Sequence, residues 1–295
     1  MISLAGTAID TPLDRPLPSV VRDYTGERPV SDAVFGIYRS LYAYDRSDLG
    51  AVVESSDDSP QHWRVERVSY AAAYGNERIP AFLFLPKAAA PPYQTVLYFP
   101  AAQHLEHFQK WELNYIDFVL RSGRAVLMPM YKGIYERRLD RPVEGRHAGR
   151  DVMIQQMKDL QRSVDYVHAR PDLDESRLAY FGVSVGAYLA PIALAVEPRF
   201  KAAILWSGGF SPVARLPEAD QINFAPRVRT PVLMVNGRDD FTYPVKASQE
   251  PMFRWLGTPE KDKRHLLHAG GHVYPFEGNT RDTLGWLDRY LGAVR

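Results

Sequence analysis

The chain has no cysteine among its 295 residues. That excludes disulfides, thiolate catalysis and cysteine-based metal sites. It also lacks long apolar runs, none approaching the ~20 residues that span a bilayer. Charge of one sign is scarce as well. Lys and Arg total 36 against 35 Asp and Glu, a formal net charge of +1, which removes the simplest electrostatic argument for a nucleic-acid partner. The first stretch, MISLAGTAIDTPLDRPLPS, has no basic segment followed by an apolar one, so it does not read as a secretion signal. A soluble, cytoplasmic protein with no nucleic-acid or membrane partner is the expectation. Internal repeats and low-complexity segments are missing too.

What is present suits a packed globular chain: 45% hydrophobic and 24% charged residues, at a length that fits one large α/β domain. Residues 1–61 read as an N-terminal helical and irregular extension packed on the core. Pro12, Pro16 and Pro18 keep its start extended. Ser31 or Asp32 caps a short helix whose buried face is read as Val34, Ile37, Tyr38 and Leu41. ESSDDSP, 54–60, reads as an exposed loop.

Residues 62–295 read as the main domain. It begins with two strands around Gly75-Asn76, an antiparallel hairpin. Short apolar runs then recur: TVLYFP (95–100), RAVLMPM (124–130), RLAYFG (177–182), AAILWSG (202–208), PVLMVNG (231–237) and RHLLHA (264–269). Continuous apolarity fits strands covered on both faces. Between them lie helical patterns. One places Ile154, Met157, Leu160, Val164 and Val167 on a single face. Another follows Ser184 and is apolar nearly all round, with Pro191 bending it or lying near its start. The alternation predicts an α/β fold, a mostly parallel sheet with helices on both faces.

One stretch carries chemistry. AYFGVSVGAYLA, 179–190, runs from a predicted strand through Gly182-Val183-Ser184-Val185-Gly186 into a predicted helix. G-x-S-x-G alone is a weak signal, but a sharp strand-to-helix turn is what exposes a serine hydroxyl at the edge of a sheet. A hydroxyl is a poor nucleophile until a base takes its proton and a third group orients that base. Two later strands end suitably. PVLMVNG is followed by Asp239 and Asp240, and RHLLHA by Gly270, Gly271 and His272. Serine, then acid, then histidine is the chain order of α/β-hydrolases.

On GVSVG, NGRDDFTYP and HAGGH, residues 65–292 resemble the serine esterases of the α/β-hydrolase superfamily, in the branch of dienelactone-hydrolase-like, acetylxylan-esterase-like and prolyl-oligopeptidase-like enzymes. The resemblance implies an α/β-hydrolase fold and a Ser184-His272-Asp240 triad. In such enzymes the acid stands three residues after a strand-ending glycine and four before a proline, so Gly237 and Pro244 select Asp240 over Asp239. It also implies an oxyanion hole with one donor at the Val185 N–H and a second at Ala102, with Gln103 as the alternative. The His-Gly-Gly often found in that loop is replaced here by Phe99-Pro100-Ala101-Ala102-Gln103, and the cysteine nucleophile of dienelactone hydrolases proper is absent. No cofactor and no metal are implied.

The implied activity is cleavage of small soluble carboxylic esters through an acyl-enzyme. The alternatives are a prolyl-oligopeptidase-like peptidase and a catalytically idle hydrolase fold used for binding. The former lacks room for the usual N-terminal propeller. The segment GFSPVARLPEADQINFAPRVRT is too short for a full cap domain, which disfavours an interfacial lipase. Substrate contacts are read at Gln103, His104, Tyr131, Trp206 and Phe241. For Trp206, Phe210, Phe241 and Tyr243 core packing serves as well. His107 reads as a surface residue. His265 and His268, at odd spacing on one strand, fall on opposite faces. The segment 131–151 carries Arg137, Arg138, Arg141, Arg146 and Arg150. Either one of them grips an anionic substrate group, or, the reading preferred, they pair in solvent with Glu136, Asp140, Glu144 and Asp151.

Overall fold

Branched and aromatic residues crowd the apolar runs, and they build one nine-stranded sheet. The computed structural model describes residues 22–101, 110–139, 145–272 and 277–294. Its strands are β1 (Val52–Asp57), β2 (Trp63–Ala71), β3 (Arg78–Pro86), β4 (Tyr93–Phe99), β5 (Ala125–Pro129), β6 (Leu173–Val183), β7 (Ala202–Trp206), β8 (Val232–Gly237) and β9 (Lys263–His268). They lie in the order β1-β2-β3-β5-β4-β6-β7-β8-β9. The pairs from β1 to β5 are antiparallel; all pairs from β5 through β4 to β9 are parallel. Every residue of β5, β7 and β8 is buried, as expected of strands covered on both sides.

The helices are α1 (Asp32–Ser40), α2 (Asp117–Arg121), α3 (Gly145–Ala169), α4 (Val185–Val196), α5 (Glu250–Trp255) and α6 (Glu277–Leu291). Two neighbours in β6 show how they divide, since adjacent strand residues point to opposite faces. Tyr180 donates its hydroxyl to the Gly186 carbonyl of α4. Phe181 packs with Phe118 of α2 and with Trp206, whose indole N–H reaches Thr283 of α6. In α3, Met157, Leu160, Val164 and Val167 are buried and Ile154 half-buried. α4 carries Pro191 inside it and buries almost every side chain.

Three local expectations are corrected. Residues 54–57 are not loop: they belong to β1, an edge strand exposed along its whole length. Its polar composition hides it from a search for apolar runs. In α1, Ser31 is the cap, accepting from the Val34 N–H. The buried face is not the one expected, because Phe35 is buried while Ile37 and Leu41 are exposed. Phe35 instead packs edge-on against Phe224. The arginine-rich segment is shorter than it reads, since 145–151 already forms the first turns of α3.

Arg137 is also misplaced by sequence. Its buried guanidinium pairs with Asp159 of α3 and with Glu77 at 2.8 Å. The Lys132 N–H and the Tyr74 hydroxyl complete the Asp159 carboxylate at 2.8 and 2.9 Å. Burial pushes the Asp159 carboxyl up while Arg137 pulls it down. Arg150 does pair with Asp151, at 2.7 Å, and with Glu218 at 3.1 Å. Arg141, Asp140 and Glu144 lie outside the described residues.

The N-terminal segment is tied to the long β7–β8 connection. Arg22 pairs with Asp220 at 2.8 Å. The Tyr24 hydroxyl donates to the Ser211 carbonyl at 2.7 Å, and that of Tyr42 to Glu218 at 2.7 Å.

Candidate active site

Ser184 sits between β6 and α4 with φ 51° and ψ −106°. That is a strained conformation for a residue with a side chain. Its N–H is held by the Trp206 carbonyl at 2.9 Å, and its own carbonyl accepts the Tyr188 N–H at 2.8 Å. The flanking glycines are there for space. A Cβ on Gly182 would lie 2.5 Å from the Gly186 carbonyl carbon, and one on Gly186 would lie 2.0 Å from the Phe99 carbonyl oxygen. Turn, helix start and β4 therefore close on one another only if both residues lack side chains.

Two other strand ends deliver the partners. The Ser184 Oγ is 2.9 Å from His272 Nε2, and His272 Nδ1 is 2.9 Å from Asp240 Oδ2. A carboxylate only accepts, so Nδ1 carries the proton and Nε2 is left to accept from the serine. The Asp240 side chain is fully buried. Its other oxygen accepts the Thr242 and Tyr243 N–H groups at 2.8 and 2.9 Å, which fixes the carboxylate before the imidazole arrives. Asp239 is exposed and joins the neighbouring loop through its backbone, its N–H donating to Gly270 at 2.8 Å. The two loops press together at Gly237, where a Cβ would meet the Gly271 oxygen at 2.0 Å. Val185 opens α4, so its N–H has no partner within the helix.

The remaining expected contacts scatter. Ala102, Gln103, His104 and His107 lie outside the described residues. Trp206 is corrected to core: it is 1% exposed, stacks on Phe118 at 5.7 Å and is hydrogen-bonded to α6. Tyr131 is likewise buried, stacked on Phe99 at 4.4 Å, with its hydroxyl on the Pro100 carbonyl at 3.0 Å. It supports the chain leaving β4 instead of facing the serine. Phe241 is 93% exposed. Phe210 is buried beside Tyr24. His265 packs on Phe253 of α5, and His268 lies against Gly278 of α6. Among the described residues, no cluster of three or more His, Asp and Glu side chains is set to hold a metal ion. Nor is any helix there long and apolar enough to cross a membrane.

Sequence reasoning missed Tyr188. It stands one helical turn after Ser184, buried, with its ring 6.4 Å from Tyr243. The spacing of four on a helix was the signal available.

The family model of the serine hydrolases (FSH1) matches residues 108–284. The chain belongs to this serine hydrolase family. Solved structures place it among α/β-hydrolase esterases in fold. An acetyl xylan esterase from Thermoanaerobacterium sp. JW/SL YS485 superposes with a TM-score of 0.72 at 18% identity, over 94% of this chain and 99% of that one. Another, from Paenibacillus sp. R4, gives 0.71 at 22% identity over 94% and 100%. A cold-adapted esterase from an Arctic intertidal metagenomic library gives 0.66 at 20% identity over 81% and 99%. At these identities the likeness is one of fold. Comparison with curated proteins gives no match. For a serine hydrolase, a serine at a strained strand–helix turn with a histidine and a buried aspartate in line is the arrangement its chemistry calls for.

Proposed function

We propose that this serine hydrolase cleaves carboxylic esters of small soluble substrates, with Ser184 as nucleophile, His272 as base and Asp240 as the group that orients it. The observation that carries the reading is the unbroken line of two 2.9 Å hydrogen bonds from the Ser184 hydroxyl through His272 to a buried, doubly N–H-bonded Asp240. His272 Nε2 takes the hydroxyl proton as Oγ bonds to the ester carbonyl carbon. The oxyanion that forms is held by the Val185 N–H and by a second donor for which Ala102 is the candidate. His272 then returns the proton to the alcohol oxygen as the C–O bond breaks. Water, activated by the same imidazole, releases the acid and restores the serine. Asp240 keeps Nδ1 protonated and stabilises the imidazolium without accepting its proton.

Esters are preferred to amides because the neighbours in fold are esterases. The test is hydrolysis of p-nitrophenyl esters from acetate to decanoate, run beside fluorophosphonate labelling. Wild type is expected to hydrolyse the short members and to be labelled. Ser184→Ala is expected to lose both, with turnover down at least ~10³-fold. A folded wild type that neither labels nor hydrolyses any ester would sink the reading in favour of an idle fold. Labelling without ester turnover would favour the peptidase alternative.

A further inference from the structure

The triad is one end of a row of side chains. The Tyr243 ring lies 5.7 Å from the His272 ring, and the Tyr188 ring 6.4 Å from that of Tyr243, tilted by 21°. Tyr188 is one turn of helix beyond the nucleophile. Its hydroxyl is buried, and the side chains within its hydrogen-bonding reach are those of Ser211 and Arg215. Burial also pushes the hydroxyl up, so it stays a neutral donor. Arg215 lies within electrostatic reach of Tyr243 as well.

Arg215 is exposed, on the β7–β8 connection. Its backbone is fixed on both sides. The N–H donates to Asp220, and the carbonyl accepts Arg146 Nη2 at 3.2 Å. The nearby acids are already engaged, Asp220 by Arg22 at 2.8 Å and Glu218 by Arg150 at 3.1 Å. Among the described residues neither Arg215 nor Arg146 has a carboxylate partner. Arg215, with Arg146 on its carbonyl, is thus carried near the end of an aromatic row that starts on His272. Arginine with a buried phenol beside it is a suitable receptor for a planar carboxylate.

We propose that the substrate of this site carries an anionic group, and that Arg215, backed by Arg146 and the Tyr188 hydroxyl, reads it. The class is esters whose acyl part ends in a carboxylate, the half-esters of short dicarboxylic acids. This rests on the esterase reading above and names the substrate within it. The acyl chain leads from Ser184 toward Arg215, and the charge ends at the guanidinium. Hydrolysis itself is unchanged.

The experiment compares p-nitrophenyl half-esters of glutarate, adipate and pimelate with the same esters bearing a distal carboxamide, Ser184→Ala supplying the spontaneous rate. Wild type is expected to favour the carboxylate over the amide by about 10- to 100-fold in kcat/KM, the range for a charge-assisted contact, at one of the three lengths. In Arg215→Gln the ratio should fall to about one, and Arg215→Lys should recover part of it. Arg215 is exposed, so the substitutions leave the core intact. Equal rates on both series in wild type, or a preference that survives in Arg215→Gln, would overturn the inference and leave the esterase reading standing. Calorimetric binding of free adipate and its homologues to Ser184→Ala gives an arm independent of turnover. Binding that is lost on adding Arg215→Gln supports the inference even if no ester is cleaved, and failure of every diacid to bind counts against it.

Discussion

Asp240 and Asp239 are adjacent in sequence and opposite in circumstance. One is buried against two N–H groups and His272; the other faces solvent. Asp240→Asn keeps the shape and is expected to invert the imidazole tautomer, lowering kcat by roughly 10³- to 10⁴-fold. Asp239→Asn should leave kcat within about two-fold. Steady-state hydrolysis of one p-nitrophenyl ester distinguishes them. Gly186→Ala is expected to fail differently. Its methyl group would enter the Phe99 carbonyl, so a loss of about 2–3 kcal/mol in urea unfolding should accompany loss of fluorophosphonate labelling. Ser184, Asp240 and His272, which the fold brings into one hydrogen-bonded line, could be singled out in the sequence because each stands within a few residues of the end of an apolar strand. The places of Trp206 and Tyr131 were not legible. A residue at a strand end points to one face or the other, and only the partners across space, Phe118 and Thr283 for Trp206 and Phe99 for Tyr131, decide which. Tyr188 and Arg215 lie on two elements that sequence does not bring together.

Among the elements, the parallel strands and α3 were read from apolarity and helical period with small errors at the ends. β1 and the face of α1 were not, since both depend on a neighbour: β2 pairs the polar edge strand, and Phe224 draws in Phe35. β9 carries a pH dependence of its own. His265 lies half-buried against Phe253 with its shielded Nε2 unpartnered, and burial lowers its pKa from 6.5 to about 4. The unfolded chain therefore takes up this proton first as pH falls. The contribution of His265 to stability is fully present above about pH 6.5 and is lost as pH drops toward 4. His265→Phe should remove that slope. Urea unfolding at pH 7 and pH 4.5 should show the gap between wild type and variant shifting in the variant's favour at the lower pH, by on the order of 2 kcal/mol.

At the scale of the molecule, Arg137 joins parts that are far apart in sequence. Asp159 is on α3, Glu77 and Tyr74 at the β2–β3 hairpin, and Lys132 beyond β5. Arg137→Met leaves Asp159 buried without its cation. The expected cost is about 3–5 kcal/mol, read as a lower urea midpoint with unchanged slope. Adding Asp159→Leu should recover most of it, because the charge goes with its partner.

The Arg22 and Tyr24 contacts bear on a different matter. They reach across the chain to hold the carbonyl of Ser211 and the carboxylate of Asp220, on either side of Arg215. On the substrate reading proposed above, this segment acts as a set-screw for the loop that carries Arg215. Two enzymes with the same triad and the same rim residues can then accept different molecules because of what precedes their first strand, and selection for a new substrate can act there while the catalytic groups stay untouched.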